Sequence, residues 1–115
     1  MVYLIRYNIS MKEIIYYKTN DSKCPYLEWY NSLDKSIRLI IDRRIDRIRL
    51  GNLGKHRKFD NLTEIKFTDG AGYRIYAYEC DDIMIVFLSA GDKSRQSKDI
   101  ELAKKYLQEF NERYK

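Results

Sequence analysis

The chain has 115 residues, a net charge of +5 and a calculated pI of about 9.1, which suits one domain and excludes two. With 44% hydrophobic residues, one proline and five glycines, it has neither a disordered nor a low-complexity composition. Its two cysteines form no metal-ligand pattern, and its longest apolar run, residues 83–88, is too short to cross a membrane. We therefore expect a cytoplasmic protein with no membrane contact, metal or cofactor.

The N-terminal half of the sequence predicts one strand and two helices. Residues 1–10 are interpreted as an N-terminal extension or an extra strand, ahead of a single domain over residues 11–115. Residues 12–18 predict a strand because Ile and Tyr dominate them. Pro25 suits the first position of a short helix, and a second helix begins after Asp34 and ends at Gly51. Its apolar stripe consists of Ile37, Ile40, Ile41, Ile45 and Ile48. Arg43, Arg44 and Arg47 lie off this stripe and are expected to face solvent or a partner.

The C-terminal half predicts a loop, three strands and a helix. Residues 51–61 predict a basic loop, and residues 62–67, 72–80 and 83–88 predict strands. A final helix begins near Ser97. The order β-α-α-β-β-β-α predicts an α+β fold, in which a mainly antiparallel sheet carries its helices on one face.

Alternation along two predicted strands gathers polar side chains. Glu64 and Lys66 share one face of their strand, and Arg74 and Tyr76 share one face of the next. If the helices cover the other face, which carries isoleucines, this face stays open. Basic residues of two loops then overhang it, Arg57 and Lys58 from the basic loop and Lys93 from the loop after the last strand. We expect the four strand side chains to lie together on one polar surface.

Such a surface suits metal-free RNA cleavage, in which the 2′-hydroxyl of RNA attacks the adjacent phosphate. Arg74 suits bidentate phosphate contact, and Lys66 or Lys93 supplies positive charge or a proton. Glu64 is a candidate base, and Tyr76 is a candidate either for stacking on a base or for orienting the phosphate. The alternative is an ordinary solvated strand face with weak ion pairs.

A basic stretch precedes these strands. Between residues 38 and 58 lie eight basic residues and two acidic ones. Such a concentration favours polyanion binding, although a solvated arginine-rich helix face explains it equally well. The RNA-binding candidates are Arg43, Arg47, Lys55, Arg57 and Lys58.

Five segments in a fixed order resemble one family. They are LEWYNSL at 27–33, RIRLGNLG at 47–54, LTEIKF at 62–67, GYRIY at 72–76 and GDKSRQ at 91–96, with Asp99, Ile100 and Ala103 following. Over residues 12–109 the chain resembles the addiction-module killer proteins, a HigB-like branch of the RelE/ParE superfamily of type II toxin–antitoxin systems.

The resemblance implies a RelE-like fold and a toxin that cleaves mRNA, often on the ribosome, until a cognate antitoxin, often a helix-turn-helix protein, neutralises it. It places the family's functional basic residues at Arg57, Lys66, Arg74 and Lys93. The histidine that some relatives carry after the last strand is absent, and RelE itself has a lysine near the position of Glu64. The general acid and base therefore stay open.

Two other functions fit the same sequence. The first is a ParE-like inhibitor of DNA gyrase with no nuclease activity, because one fold hosts several activities. A gyrase binder has no need for the polar side chains of the sheet to converge. The second is a plain nucleic-acid-binding module, for which strong salt dependence without cleavage would be expected.

Overall fold

The computed structural model describes residues 11–114, so the two interpretations of residues 1–10 lie outside the described part of the chain. The described residues form an α+β fold with a mixed five-stranded sheet and three α-helices. The elements in chain order are β1 (Glu13–Tyr16), α1 (Pro25–Asn31), α2 (Lys35–Arg49), β2 (His56–Phe59), β3 (Leu62–Lys66), β4 (Arg74–Glu79), β5 (Met84–Gly91), a 3₁₀ turn (Lys93–Arg95) and α3 (Gln96–Arg113).

The sheet order is β1-β5-β4-β3-β2. β1 runs parallel to β5, and the other three pairs are antiparallel, so the prediction of a mainly antiparallel sheet is confirmed. Leu88 is an extra residue in β5, because Tyr76 faces Ser89 while Ala77 faces Phe87. Such a bulge twists the strand locally, and here Ser89 Oγ then donates to the carbonyl of Asp99 in α3 at 2.7 Å.

The predicted basic loop at residues 51–61 is partly wrong, because His56–Phe59 forms the edge strand β2. A two-residue turn joins β2 to β3, and both of its residues have left-handed backbone, with φ of 49° at Asp60 and 64° at Asn61. Asn and Asp tolerate this conformation, which matches the twist of a tight hairpin. The sequence of β2 has no apolar alternation that would predict a strand. Its strand conformation therefore depends on this turn and on pairing with β3.

The helices pack on both faces of the sheet, which corrects the predicted single covered face. α1 and α2 cover a core that includes Ile65, Ile75 and Phe87 of the strands. α3 covers a second core, in which Ala103 and Leu107 meet strand residues of the opposite face. β5 supplies residues to both cores, so its continuous apolar run needs cover on each side.

Arg44 is buried, although the helical pattern predicted that it faces solvent. Its Nε donates to the carbonyl of Leu53 at 2.9 Å and its Nη2 to that of Lys55 at 2.7 Å. The guanidinium also lies 4.8 Å from the ring centre of Phe67. Arg44 therefore fastens the segment that leads into β2 onto α2, and its charge is satisfied by carbonyl oxygens.

Between residues 11 and 114, no helix is both long enough and apolar enough to span a membrane.

Candidate functional site

The predicted catalytic residues of β3 and β4 do share one face, as alternation predicted. Glu64 faces Tyr76 across the two strands, and Lys66 faces Arg74. This face is the one that α3 covers, so it is not open along its length: Glu64 and Tyr76 are both 0% exposed. The accessible part of the site is the end of the sheet beside the first turn of α3, where Lys66 is half-buried and Lys93 exposed.

Glu64 lies at the centre of this end of the sheet. Arg57 Nε donates to one carboxylate oxygen, Oε1. Gln96, the first residue of α3, donates to Oε2 at 2.8 Å, and Arg74 Nε lies 3.0 Å from the same oxygen. Three elements, β2, β4 and α3, thus meet at one carboxylate of β3. A buried carboxylate needs such partners, because an unpaired charge there is costly.

The partners of Glu64 keep it ionised. Burial alone raises the pKa of the Glu64 carboxyl, but hydrogen bonds from Arg57 and Gln96, with the positive charges of Arg57 and Arg74, outweigh burial and hold that pKa below its usual value. With both oxygens engaged and no surface exposed, Glu64 is not placed to take a proton from a bound RNA. This argues against the predicted role of Glu64 as a base.

Arg74 and Lys93 lie together beside Gly72. Arg74 Nη1 donates to the Gly72 carbonyl at 2.9 Å, and the side chain of Arg74 is 13% exposed. The Lys93 amide donates to the Ala71 carbonyl at 3.3 Å. Gly72 has φ of 71°, and a Cβ there would sit 3.4 Å from Lys93 Cβ and 3.5 Å from Arg74 Nη1. A glycine therefore suits both the backbone conformation and the approach of the two cations.

The accessible cations of the cluster are available to a ligand. Among residues 11–114, the ammonium groups of Lys66 and Lys93 make no hydrogen bond or ion pair, and the Nη atoms of Arg57 have no partner. Lys55 lies opposite Lys66, whose amide donates to the Lys55 carbonyl at 2.9 Å, so Lys55 borders the same end of the sheet. Arg57 and Arg74 contact one ionised carboxylate, and the lysines border the same end of the sheet, so the positive charge there is in excess and suits a phosphate.

Tyr76 is a core residue and cannot stack on a base, contrary to the prediction. Its hydroxyl is buried without a hydrogen-bond partner among the described residues. Burial, and after it the charge of Glu64, raises the pKa of Tyr76. The hydroxyl therefore stays protonated and packs beneath Glu64.

Three of the predicted RNA-binding residues lie away from the group of cations near Glu64. Lys58 pairs with Glu79 at 2.9 Å, and Glu79 also accepts from Thr63, which lies on the isoleucine face of β3. Arg43 and Arg47 are exposed on α2, which covers that same face. The basic stretch of the sequence is therefore split between two sides of the molecule.

Two polar residues near the site, Gln96 and Asp99, were given no role from the sequence, although both lie in or just after the segment 91–96 that carries the resemblance. Gln96 is the first residue of α3, and a residue at that position shows no face pattern. Asp99 is 3% exposed, its Oδ2 has no hydrogen-bond partner among the described residues, and burial raises the pKa of its carboxyl. A Cβ at Gly91 would overlap Asp99 Oδ2, so the fit of α3 on β5 requires glycine there.

Within residues 11–114, no three His, Cys, Asp or Glu side chains come together as metal ligands would. No protein-family model matches the chain, and no solved structure matches it significantly. An uncharacterized protein of Haemophilus influenzae is 39% identical to it over 71 residues, which cover 61% of this chain and 72% of that protein.

Proposed function

The chain belongs to the same family as this Haemophilus influenzae protein, and we propose that it is a metal-free RNA endonuclease of the RelE/ParE toxin class. In this proposal it acts in the cytoplasm, cleaves mRNA on the ribosome, thereby inhibits translation, and is neutralised by a cognate antitoxin of helix-turn-helix type. The observation that carries the proposal is the group of cations, Arg57, Lys66, Arg74 and Lys93, around the buried carboxylate of Glu64.

The fold supports this assignment. Two helices separate β1 from the antiparallel strands, and one helix follows β5, as in the order that the resemblance implies. β2 is an addition to that order. All four cations are at the positions to which the resemblance assigns functional basic residues, and they come from four separate segments of the chain. Convergence of distant segments on one point is typical of a functional site.

The chemistry follows from the cations. Arg57 and Arg74 bind the non-bridging oxygens of the scissile phosphate through their guanidinium N–H groups. The 2′-oxygen forms a bond to phosphorus, the bond from phosphorus to the 5′-oxygen breaks, and the products carry a 2′,3′-cyclic phosphate and a 5′-hydroxyl. The 2′-hydroxyl proton passes to solvent water, and the ammonium of Lys66 or Lys93 protonates the departing 5′-oxygen. Stabilisation of the phosphorane charge is the main contribution of the protein.

The direct test uses purified protein with translating ribosomes at their working magnesium concentration. We expect cleavage of the mRNA, with cyclic phosphate ends. An mRNA with a single 2′-deoxynucleotide at the cleaved position should resist, because the attacking hydroxyl is gone. Cleavage of the deoxy substrate, or products with a 5′-phosphate as expected when a metal-activated water attacks, would refute this mechanism. Growth arrest without cleavage would point to gyrase instead, and DNA supercoiling would then be assayed.

A further inference from the structure

The buried negative charge of Glu64 is out of place in a site that binds phosphate. A carboxylate within a few ångströms of a bound phosphate repels it, so by charge alone Glu64 weakens the site. Burial of an ion pair also seldom adds stability compared with apolar packing. Glu64 lies between Arg57 and Arg74, which suggests that its role is to orient these two side chains.

We propose that Glu64 is a positioning residue, which holds Arg57 by a hydrogen bond at Nε and Arg74 by ionic attraction, so that the free N–H groups of both guanidiniums meet one phosphate of the substrate. Gln96 of α3 also holds the carboxylate in place, because its amide donates a hydrogen bond to Glu64 Oε2. The inference rests on the proposed function for the identity of the ligand, an RNA phosphate. The arrangement of the arginines can be tested without it.

Arg57 is the residue that most needs an anchor. It lies on the edge strand β2, its side chain is 49% exposed, and a free arginine side chain samples many rotamers. Glu64 holds its Nε, and the guanidinium lies 4.4 Å from the ring centre of Phe59. The two contacts fix the plane of the guanidinium while its Nη atoms keep no partner among residues 11–114. A preorganised fork of this kind binds a phosphate with less loss of entropy.

Arg74 is held from two sides. Its Nε lies 3.0 Å from Glu64 Oε2 as an ion pair, although the Nε–H makes no hydrogen bond to a described residue, and Nη1 donates to the Gly72 carbonyl at 2.9 Å. Each arginine therefore approaches a different oxygen of the same carboxylate. The two guanidiniums flank Glu64, one from β2 and the other from β4, on the face that Lys66 shares.

The decisive test is the sign of a charge effect. Glu64→Gln removes one negative charge from the site, so electrostatics alone predicts tighter RNA binding. If Glu64 positions the arginines, binding falls instead, by about threefold to tenfold, because misplaced cations contribute less. The matched control is Glu79→Gln, which removes the same charge from a paired carboxylate on the opposite face, and should change affinity less than about twofold. The measurement is anisotropy with an all-2′-deoxy, uncleavable version of the target oligonucleotide.

Cleavage kinetics separate positioning from proton transfer. For Glu64→Gln we expect kcat to fall about tenfold to a hundredfold, with the shape of the pH–rate profile unchanged. Gln96→Ala keeps every charge and should give a smaller loss in the same direction. It also serves as the second variant if Glu64→Gln does not fold, as judged by thermal melting. Tighter binding by Glu64→Gln, or loss of the acid limb of its profile, would overturn the positioning role.

A last readout is independent of RNA. In ¹⁵N-labelled protein, the Nε–H signal of Arg57 should be resolved and protected from exchange because it donates to Glu64, and it should become averaged in Glu64→Gln but not in Glu79→Gln. An unchanged Arg57 signal would overturn the inference. Loss of that signal in a protein that neither binds nor cuts RNA would leave the positioning role intact and reject the proposed function.

Discussion

The two faces of the sheet use the same strands in different ways. On the α1–α2 face, Ile65, Ile75 and Phe87 pack into one apolar core, and the buried charge of Arg44 is satisfied by backbone carbonyls. On the α3 face, the end near Leu107 is equally apolar, but the end near Gln96 is an ionic cluster around Glu64. The first face therefore has a continuous apolar core, with polar contacts at Arg44 and at the Lys58–Glu79 pair, while the second divides along its length into an apolar end and an ionic end.

This difference separates stability from function. An apolar core of buried isoleucine and phenylalanine contributes directly to the free energy of unfolding. A buried carboxylate between two guanidiniums offsets much of its own attraction by the desolvation of the charges. We therefore expect substitutions on the α1–α2 face to change stability, and substitutions at the charged end of the α3 face to change activity.

The largest effect is expected from Arg74→Ala. Removal of a group that stabilises charge on the reacting phosphate should lower kcat by about 10²- to 10³-fold. The variant should still fold, because Arg57 and Gln96 keep their hydrogen bonds to Glu64 and the apolar cores are intact, although the loss of one partner of Glu64 should lower the free energy of unfolding. Single-turnover cleavage and circular dichroism provide the measurement. A folded variant that cleaves at the wild-type rate would remove Arg74 from the site.

Ile65 and Lys66 are neighbours in β3 that point to opposite faces, so they form a matched pair. Ile65→Ala should lower the free energy of unfolding by about 2–5 kcal/mol, because it leaves a cavity in the α1–α2 core. Lys66→Ala should lower it by less than about 0.5 kcal/mol while reducing cleavage. Urea denaturation measures both, and similar losses of stability would contradict the division between the faces.

Gly91→Ala tests the contact between α3 and β5. The added Cβ would overlap Asp99 Oδ2, and the helix must shift to make room. We expect a loss of about 1–3 kcal/mol in the free energy of unfolding, as for other overpacked sites. Thermal and urea unfolding would measure it. The double variant with Asp99→Ala should recover part of the loss, and no recovery would place the strain elsewhere.

The pH dependence of stability should report the ionised state of Glu64. Its folded pKa lies below its unfolded one, so its contribution is fully present above the unfolded value and is lost as pH falls through the folded value. The difference in unfolding free energy between the wild type and Glu64→Gln should therefore shrink as pH falls below about 4.3. Urea titrations from pH 7 to pH 3 test this, and a difference that grows toward acid would contradict the ionised carboxylate.

The smallest effect is expected from cations on the α1–α2 side. Lys58→Ala and Arg43→Ala each remove one exposed charge on the opposite side of the sheet from the Glu64 carboxylate, so RNA affinity should fall by less than about twofold at physiological salt. Binding curves at two salt concentrations measure this. A loss equal to that of Arg57→Ala would mean that RNA extends onto the second face.

The sequence predicted the elements better than their assembly. The α+β class, the start of α1 at Pro25 and the span of α2 are confirmed, because proline, capping residues and the isoleucine stripe are local signals. Alternation also placed Glu64, Lys66, Arg74 and Tyr76 on one face, and the structure confirms this. The prediction that this face stays open was wrong, because α3 covers it. A period of two tells which residues share a face but not whether a helix lies over that face.

The remaining errors have the same origin. Arg44 was placed in solvent because a helical wheel cannot show the carbonyls that a later segment brings to it. Residues 56–59 were predicted as a loop because they have no apolar alternation, and they form a strand only by pairing with β3. Gln96 and the hydrogen bond that it makes to Glu64 depend on the position of α3, which only the three-dimensional structure gives.

The most direct test of the central claim is expression of the chain in bacteria without an antitoxin, with transcriptome-wide mapping of new 5′ ends. The account predicts growth arrest and new ends inside translated regions for the wild type, and neither for Arg74→Ala. Growth arrest with intact mRNA, or new ends that persist in Arg74→Ala, would contradict RNA cleavage at the cation cluster around Glu64.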